Sequence, residues 1–307
     1  MAHEHHHHHS SMPASGRAFA IGLSLNVLFV MVEFLFGFWS GSLALVADAG
    51  HNLTDVAGLL LAWAGIWLAR QKPTVNHTYG FRRSTILAAF FNALLLIVTV
   101  GAIVWEALSR LKSPQAIHEG IVIGVAALGI VINTTTALFF ATGQKNDLNL
   151  RGAFIHMAAD AVVSLGVVLS GLVIWKTNWY WLDPVVSLVI SVVILVSTIG
   201  LLRDSLNLAL DAVPGTINIV EVRAYLLNLP TCREVHDLHI WAMSTTEIAL
   251  TAHLVMDRTA CNDVLLAEIA RQLHDRFGIE HTTIQVESGD LDIHCHCSLN
   301  VNPELHF

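Results

Sequence analysis

The chain has 307 residues, 54% of them hydrophobic and only 13% charged, where soluble domains run to about 25% charged. Mean hydropathy is +0.60, which excludes a purely soluble protein. Residues 1–211 carry 11 basic and 11 acidic side chains, whereas residues 212–307 carry 5 and 13, so the whole formal charge of −8 sits in the last third. An acidic face repels phosphate backbones; that argues against nucleic acid as a partner and for metal cations and protons. All four cysteines, Cys232, Cys261, Cys295 and Cys297, fall in this acidic third. Cys295-His296-Cys297 is too tight for an ordinary disulfide, so a reducing compartment with metal ligation is the expectation.

In chain order, residues 1–16 come first. Their run His3-Glu4-His5-His6-His7-His8-His9 reads either as a purification tag or as a native metal-gathering arm, and no site is placed there. The first apolar stretch lacks a small-residue cleavage site, so no cleavable signal peptide is expected. Six apolar segments follow, at about 18–39, 43–69, 84–108, 119–141, 150–175 and 181–202. Each reaches or exceeds the roughly 20 residues that a helix needs to cross a bilayer. Polar punctuation such as Ser40-Gly41-Ser42, Lys72-Pro73 and Ser113-Pro114 separates them.

Lysine and arginine near the segment ends set the orientation. With a cytoplasmic N-terminus, that side receives Arg17, Arg70, Lys72, Arg82, Arg83, Lys145, Arg151 and Arg203, against Arg110, Lys112 and Lys176 opposite. Both termini are therefore expected in the cytoplasm. After Pro214 the pattern changes: 217–228 and 262–277 suit helices, and 233–242, 247–257 and 281–288 suit strands. The order α-β-β-α-β predicts a small open-sheet domain. The expected fold is thus a polytopic domain of six transmembrane helices over 17–211, a cytoplasmic α+β domain over 212–290, and a Cys/His-containing tail over 291–307.

Two polar pairs interrupt the apolar segments. Segment two holds His51 and Asp55, and segment five holds His156 and Asp160. Positions i and i+4 share one helix face, so two such helices facing each other bring two imidazoles and two carboxylates to one point. That donor set suits tetrahedral Zn²⁺, and its charge of −2 offsets the ion's own. Ionisable groups inside a membrane are costly, and most are functional. Asp48 reads as a helix-packing acceptor, and Glu33, Asn92, Asn133 and Asp183 read as interhelical links.

These pairs, together with Ser42-Leu43-Ala44-Leu45-Val46-Ala47-Asp48-Ala49-Gly50-His51, His77-Thr78-Tyr79-Gly80 and His236-Asp237-Leu238-His239-Ile240-Trp241, make the chain resemble the cation diffusion facilitator family. It looks most like the bacterial zinc-efflux members, over roughly 17–290. The resemblance implies a homodimer in the bacterial inner membrane that exports divalent metal from the cytoplasm in exchange for protons, with a metallochaperone-like C-terminal domain. It implies His51, Asp55, His156 and Asp160 as the transport site for Zn²⁺, with Cd²⁺ or Co²⁺ as co-substrates. In the tail it implies His236, His253 and Glu287 as a cytoplasmic metal site. The loop between segments two and three keeps His77 but has Phe81 and Arg82 where relatives carry a second histidine.

His294-Cys295-His296-Cys297 packs four soft or borderline donors in succession; Cys295 and Cys297 are the candidates to join the cytoplasmic set. Two rival classes remain: a membrane-bound zinc metalloenzyme and a metal sensor. A hydrolytic zinc site keeps an open coordination position, which four protein ligands leave no room for, and the chain has no H-E-x-x-H. A sensor leaves the intramembrane donors unexplained.

Overall fold

The computed structural model describes residues 15–141, 148–256 and 262–287. Six long helices come first: α1 (Ser15–Ser40), α2 (Leu43–Ala69), α3 (Ser84–Lys112), α4 (Glu119–Ala141), α5 (Leu148–Thr177) and α6 (Leu182–Ala209). Then follow α7 (Ile219–Leu227), β1 (Cys232–Ala242), β2 (Ile248–Met256), α8 (Asp263–Phe277) and β3 (His281–Glu287). Helices α2 to α6 each contain a stretch long and apolar enough to span a membrane. Helix α1 has 26 residues, about 39 Å at roughly 1.5 Å per residue, which exceeds the hydrocarbon thickness of about 30 Å. Leu59, Trp63, Trp67, Trp105, Val196 and Trp175 are exposed; side chains of that kind require lipid as their solvent. The protein is a multi-pass membrane protein with a small C-terminal α+β domain.

Two compact units make up the fold. One comprises residues up to Leu59 together with Asn92–Ile199; the other comprises Leu60–Phe91 together with residues from Gly200 onward. In the first, Leu45, Val100, Ile103, Val122, Val167 and Ile174 form the centre of a dry core, with α4 packed along α5 and against α1. Close approach is built in at Gly129, where a Cβ would lie 2.7 Å from the Phe29 ring and 3.1 Å from Ser164 Oγ. The α1–α2 turn passes through Gly41 at φ +72°, a conformation that glycine adopts at little cost. Beyond it, Asp183 of α6 caps α2 from across the unit: it accepts from Ser42 Oγ at 2.5 Å, Leu43 N at 2.7 Å and Ala44 N at 3.3 Å. The two amides are donors of a first helical turn that no intrahelical carbonyl can reach.

In the second unit the sheet order is β1-β2-β3, antiparallel between β1 and β2 and parallel between β2 and β3 across the α8 crossover. Local rules explain its helix ends. Asn218 and Asn262 accept from Val220 N and Leu265 N as N-caps, and Gly278 ends α8 at φ 67°. Val235, Leu250, Leu254, Met256, Ile269 and Leu273 form the core. The α2–α3 loop and the start of α3 belong to this unit and meet the β1–β2 turn and β3 through three contacts. Arg82 donates to Glu247 at 2.6 Å, Thr245 N donates to Thr85 Oγ1 at 3.1 Å, and the Tyr79 and His281 rings meet edge-on. Arg83 also pairs with Asp211.

Candidate metal sites

Among the described residues, two clusters of three metal-capable side chains bring their donor atoms within 4.8 Å of one another: His51, His156 and Asp160 in the membrane unit, and His236, His253 and Glu287 in the other. The first arises from helix periodicity. His51 and Asp55 stand one turn apart on α2, and His156 and Asp160 one turn apart on α5. Asp55 Oδ2 lies 3.5 Å from His51 Nε2 and 3.2 Å from His156 Nε2, and His156 Nε2 lies 3.6 Å from Asp160 Oδ2. Two donors on adjacent corners of a zinc tetrahedron stand about 3.3 Å apart, given metal–ligand bonds of about 2.0–2.1 Å. His51, His156 and Asp160 therefore gather their donor atoms as ligands of one small cation would, and Asp55 approaches both imidazoles.

Three atoms of this cluster, His51 Nδ1, Asp55 Oδ2 and Asp160 Oδ2, are buried without a hydrogen-bond partner. Buried polar atoms left unpaired cost about 1–3 kcal/mol each, so several at one place mark a position meant for something else. Nearby polar groups have protein partners for at least one oxygen, although Glu33 Oε1 is also buried and unpaired. Asp48 accepts from Ser164 Oγ of α5 at 3.0 Å, and Glu33, wholly buried on α1, accepts from Asn52 Nδ2 at 3.4 Å. Asp48 thus takes the helix-packing role expected of it.

The second cluster arises from strand register. His236 and His253 are directly opposed on β1 and β2, with ring centroids 5.2 Å apart. Glu287, on β3, pairs with Val255 and so sits two residues beyond the position facing His253. Its carboxylate spans both rings, with Oε2 3.3 Å from His236 Nε2 and Oε1 2.9 Å from His253 Nδ1. Gln285 Nε2 donates to Glu287 Oε1 at 3.0 Å and holds it there. Strand alternation puts these donors on the sheet face opposite the one that buries Val235 and Leu254. The donor types and spacing fit a divalent cation such as Zn²⁺. Cys295 and Cys297 lie outside the described residues. Cys232 is on β1, and burial pushes its thiol up, away from the thiolate that binds metal.

One residue that the sequence did not single out also reaches this cluster. Asp237 Oδ2 lies 3.6 Å from His253 Nε2, and its Oδ1 lies 2.9 Å from His239 Nε2. His77, in the α2–α3 loop, has its ring centroid 4.5 Å from that of Phe81 and its Nδ1 3.3 Å from Thr74 Oγ1.

The cation efflux transmembrane domain model matches residues 19–208, and the model for the cation efflux protein cytoplasmic domain matches residues 214–289. The chain belongs to the cation efflux family. Among its relatives, zinc transporter ZitB of Escherichia coli is 37% identical over 293 residues, 94% of this chain and 93% of its own length. The metal cation efflux system protein CzcD of Cupriavidus metallidurans is 39% identical over 273 residues, covering 88% of this chain and 86% of its own. A cadmium, cobalt and zinc/H(+)-K(+) antiporter of Bacillus subtilis is 31% identical over 293 residues, with 94% and 92% covered. Membership in this family makes the protein a transporter of metal cations rather than an enzyme.

Proposed function

We propose that this protein exports Zn²⁺ from the cytoplasm in exchange for protons, as a homodimer in the bacterial inner membrane with both termini cytoplasmic. Cd²⁺ and Co²⁺ are its co-substrates. The observation that carries this reading is the gathering of His51, His156 and Asp160 within 4.8 Å of one another inside the helical unit, with Asp55 against both imidazoles and buried donor atoms left unpaired. Two neutral imidazoles and two carboxylates neutralise the doubly charged substrate, so Zn²⁺ sits there without an excess charge in a low-dielectric setting. The donors must be deprotonated to bind it. Zn²⁺ arriving from the cytoplasm therefore displaces protons, and protons arriving from the outer side displace Zn²⁺. Alternating exposure of one donor set to the two sides couples the fluxes with no separate proton carrier. The zinc-transporting and proton-exchanging relatives support this assignment.

Residues 17–211 constitute the transport domain on this reading. Residues 212–290 carry a cytoplasmic metal site at His236, His253 and Glu287, joined by Cys295 and Cys297 of the 291–307 tail. The test is Zn²⁺ uptake into sealed proteoliposomes under an imposed pH gradient. Uptake that follows the gradient and collapses when it is dissipated is expected; uptake indifferent to the gradient would refute the exchange.

A further inference from the structure

A regular strand sends successive side chains to opposite faces, so His236 and Asp237 should not both meet the same neighbour. In this sheet they do. His236 opposes His253 ring to ring, and Asp237 Oδ2 lies 3.6 Å from His253 Nε2. The cause is a break in the β1–β2 register between His236 and His239, where Asp237 adopts φ +49°. Bulges of this kind re-aim a side chain and cluster at functional sites. A left-handed conformation is strained for a residue with a Cβ, though aspartate and asparagine tolerate it best.

The two nitrogens of His253 face different groups. Nδ1 is buried, lacks a hydrogen-bond partner, and points to Glu287 Oε1 at 2.9 Å on the side shared with His236. Nε2 points to Asp237, whose other oxygen is engaged by His239 Nε2 at 2.9 Å. We infer that Asp237 is a positioning residue for the cytoplasmic metal site: once a cation takes Nδ1 the proton of His253 is on Nε2, and Asp237, 3.6 Å away, is the carboxylate placed to close on it and fix the ring. A single cation cannot sit on both sides of the imidazole, so Asp237 acts through His253 and is not itself a ligand. Metal-bound histidines commonly hold their second nitrogen against a carboxylate in this way, and loss of that partner weakens binding by about 10–100-fold. His239 completes the arrangement by fixing the rotation of Asp237.

This inference rests on the cytoplasmic site proposed above, and the experiment separates the two. Zn²⁺ affinity is measured by chelator competition on the full-length detergent-purified protein carrying Asp160→Ala, which removes a membrane ligand. Asp237→Gly keeps the left-handed backbone and removes the acceptor, so it should weaken binding about 10–100-fold. Asp237→Asn retains one acceptor oxygen and should fall between the two. The melting temperature in chelator should not fall in either variant, whereas loss of a purely structural residue would lower it. In a His253→Ala background neither change should weaken binding further. An Asp237→Gly affinity within about twofold of its parent, or an equal loss in the His253→Ala background, would overturn the positioning role. Should His253→Ala itself leave affinity unchanged, the cytoplasmic site falls, and the inference with it.

Discussion

The membrane cluster and the cytoplasmic cluster use the same two side-chain types, histidine and carboxylate, on opposite kinds of scaffold. On α2 and α5 the backbone satisfies its own hydrogen bonds, and a four-residue step brings imidazole and carboxylate together without help from any other element. On the sheet no strand supplies more than one of the three donors, so the cluster exists only when β1, β2 and β3 are in register. Solvation does not separate them: the side chains of His51, Asp55 and His156 are 20%, 27% and 42% exposed, with only Asp160 buried at 4%, and those of His236, His253 and Glu287 are 22%, 15% and 27% exposed. What differs is their relation to the proposed route: every transported ion passes the membrane donors, whereas the sheet cluster lies outside the helical unit. Deletions should therefore be all-or-none for flux in the membrane and graded for affinity in the cytoplasmic domain.

The sharpest way to break that contrast is Asp160→Ala or Asp55→Ala. Removing a charged ligand of the proposed site should weaken Zn²⁺ binding roughly a hundredfold or more, about 3 kcal/mol, with the larger loss at the buried Asp160, so Zn²⁺ flux should vanish while the protein stays folded. Flux within a factor of two of the parent would mean that transport runs elsewhere. A second, smaller effect belongs to the sheet. With Asp160→Ala as background, Zn²⁺ at a hundredfold excess over Kd should stabilise the protein by about 2.7 kcal/mol relative to chelator. His253→Ala should remove most of this gain, and Cys295→Ser with Cys297→Ser part of it. The gain should also shrink at about pH 5.5, because protons compete for the imidazoles that must be neutral to bind metal. Identical melting curves in zinc and chelator would dispose of the folded-state site.

His51→Asp probes the membrane set more gently. Trading imidazole for a harder oxygen donor should broaden selectivity away from Zn²⁺ and Cd²⁺ toward Mn²⁺, read as a change in relative flux. An unaltered metal ranking would remove His51 as a selectivity element. The smallest effects are expected at Arg83–Asp211 and Arg82–Glu247. The Arg83 and Asp211 side chains are 53% and 51% exposed, which is more open than the partly buried ion pair that their place near the segment ends suggests. Double-mutant cycles on stability should give coupling of about 0.2–1 kcal/mol for each pair, falling with salt. A coupling that is large and indifferent to salt would show that these pairs carry more than surface electrostatics.

How much was legible in the sequence follows from the same contrast. The long apolar segments, and the two i, i+4 pairs within them, are written in local spacing, and α2 begins and ends where its pattern does. The strands were readable from their β-branched runs, but not their register; His236, His253 and Glu287 came together only through resemblance to a family. Asp237 was invisible because strict alternation sends it to the far face, and no sequence signal announces a left-handed aspartate inside a strand. Asp183 was read only as one interhelical link among several, because its partners Ser42, Leu43 and Ala44 lie about 140 positions earlier.

That last separation bears on how the protein is made. A chain emerging from the ribosome inserts α2 long before Asp183 exists. Until α6 arrives, the amides of Leu43 and Ala44 and the Ser42 hydroxyl lack their acceptor. The first turn of α2 then depends on interfacial water, and the helix that carries His51 and Asp55 is not yet locked in depth or rotation. All four membrane donors are synthesised by Asp160, but the group that fixes α2 comes 23 residues later. Biogenesis thus holds the metal-binding pocket open-ended until its final span is in place. A nascent chain stalled before Leu182 should capture Zn²⁺ far more weakly than one released after Ala209, although both contain every membrane ligand.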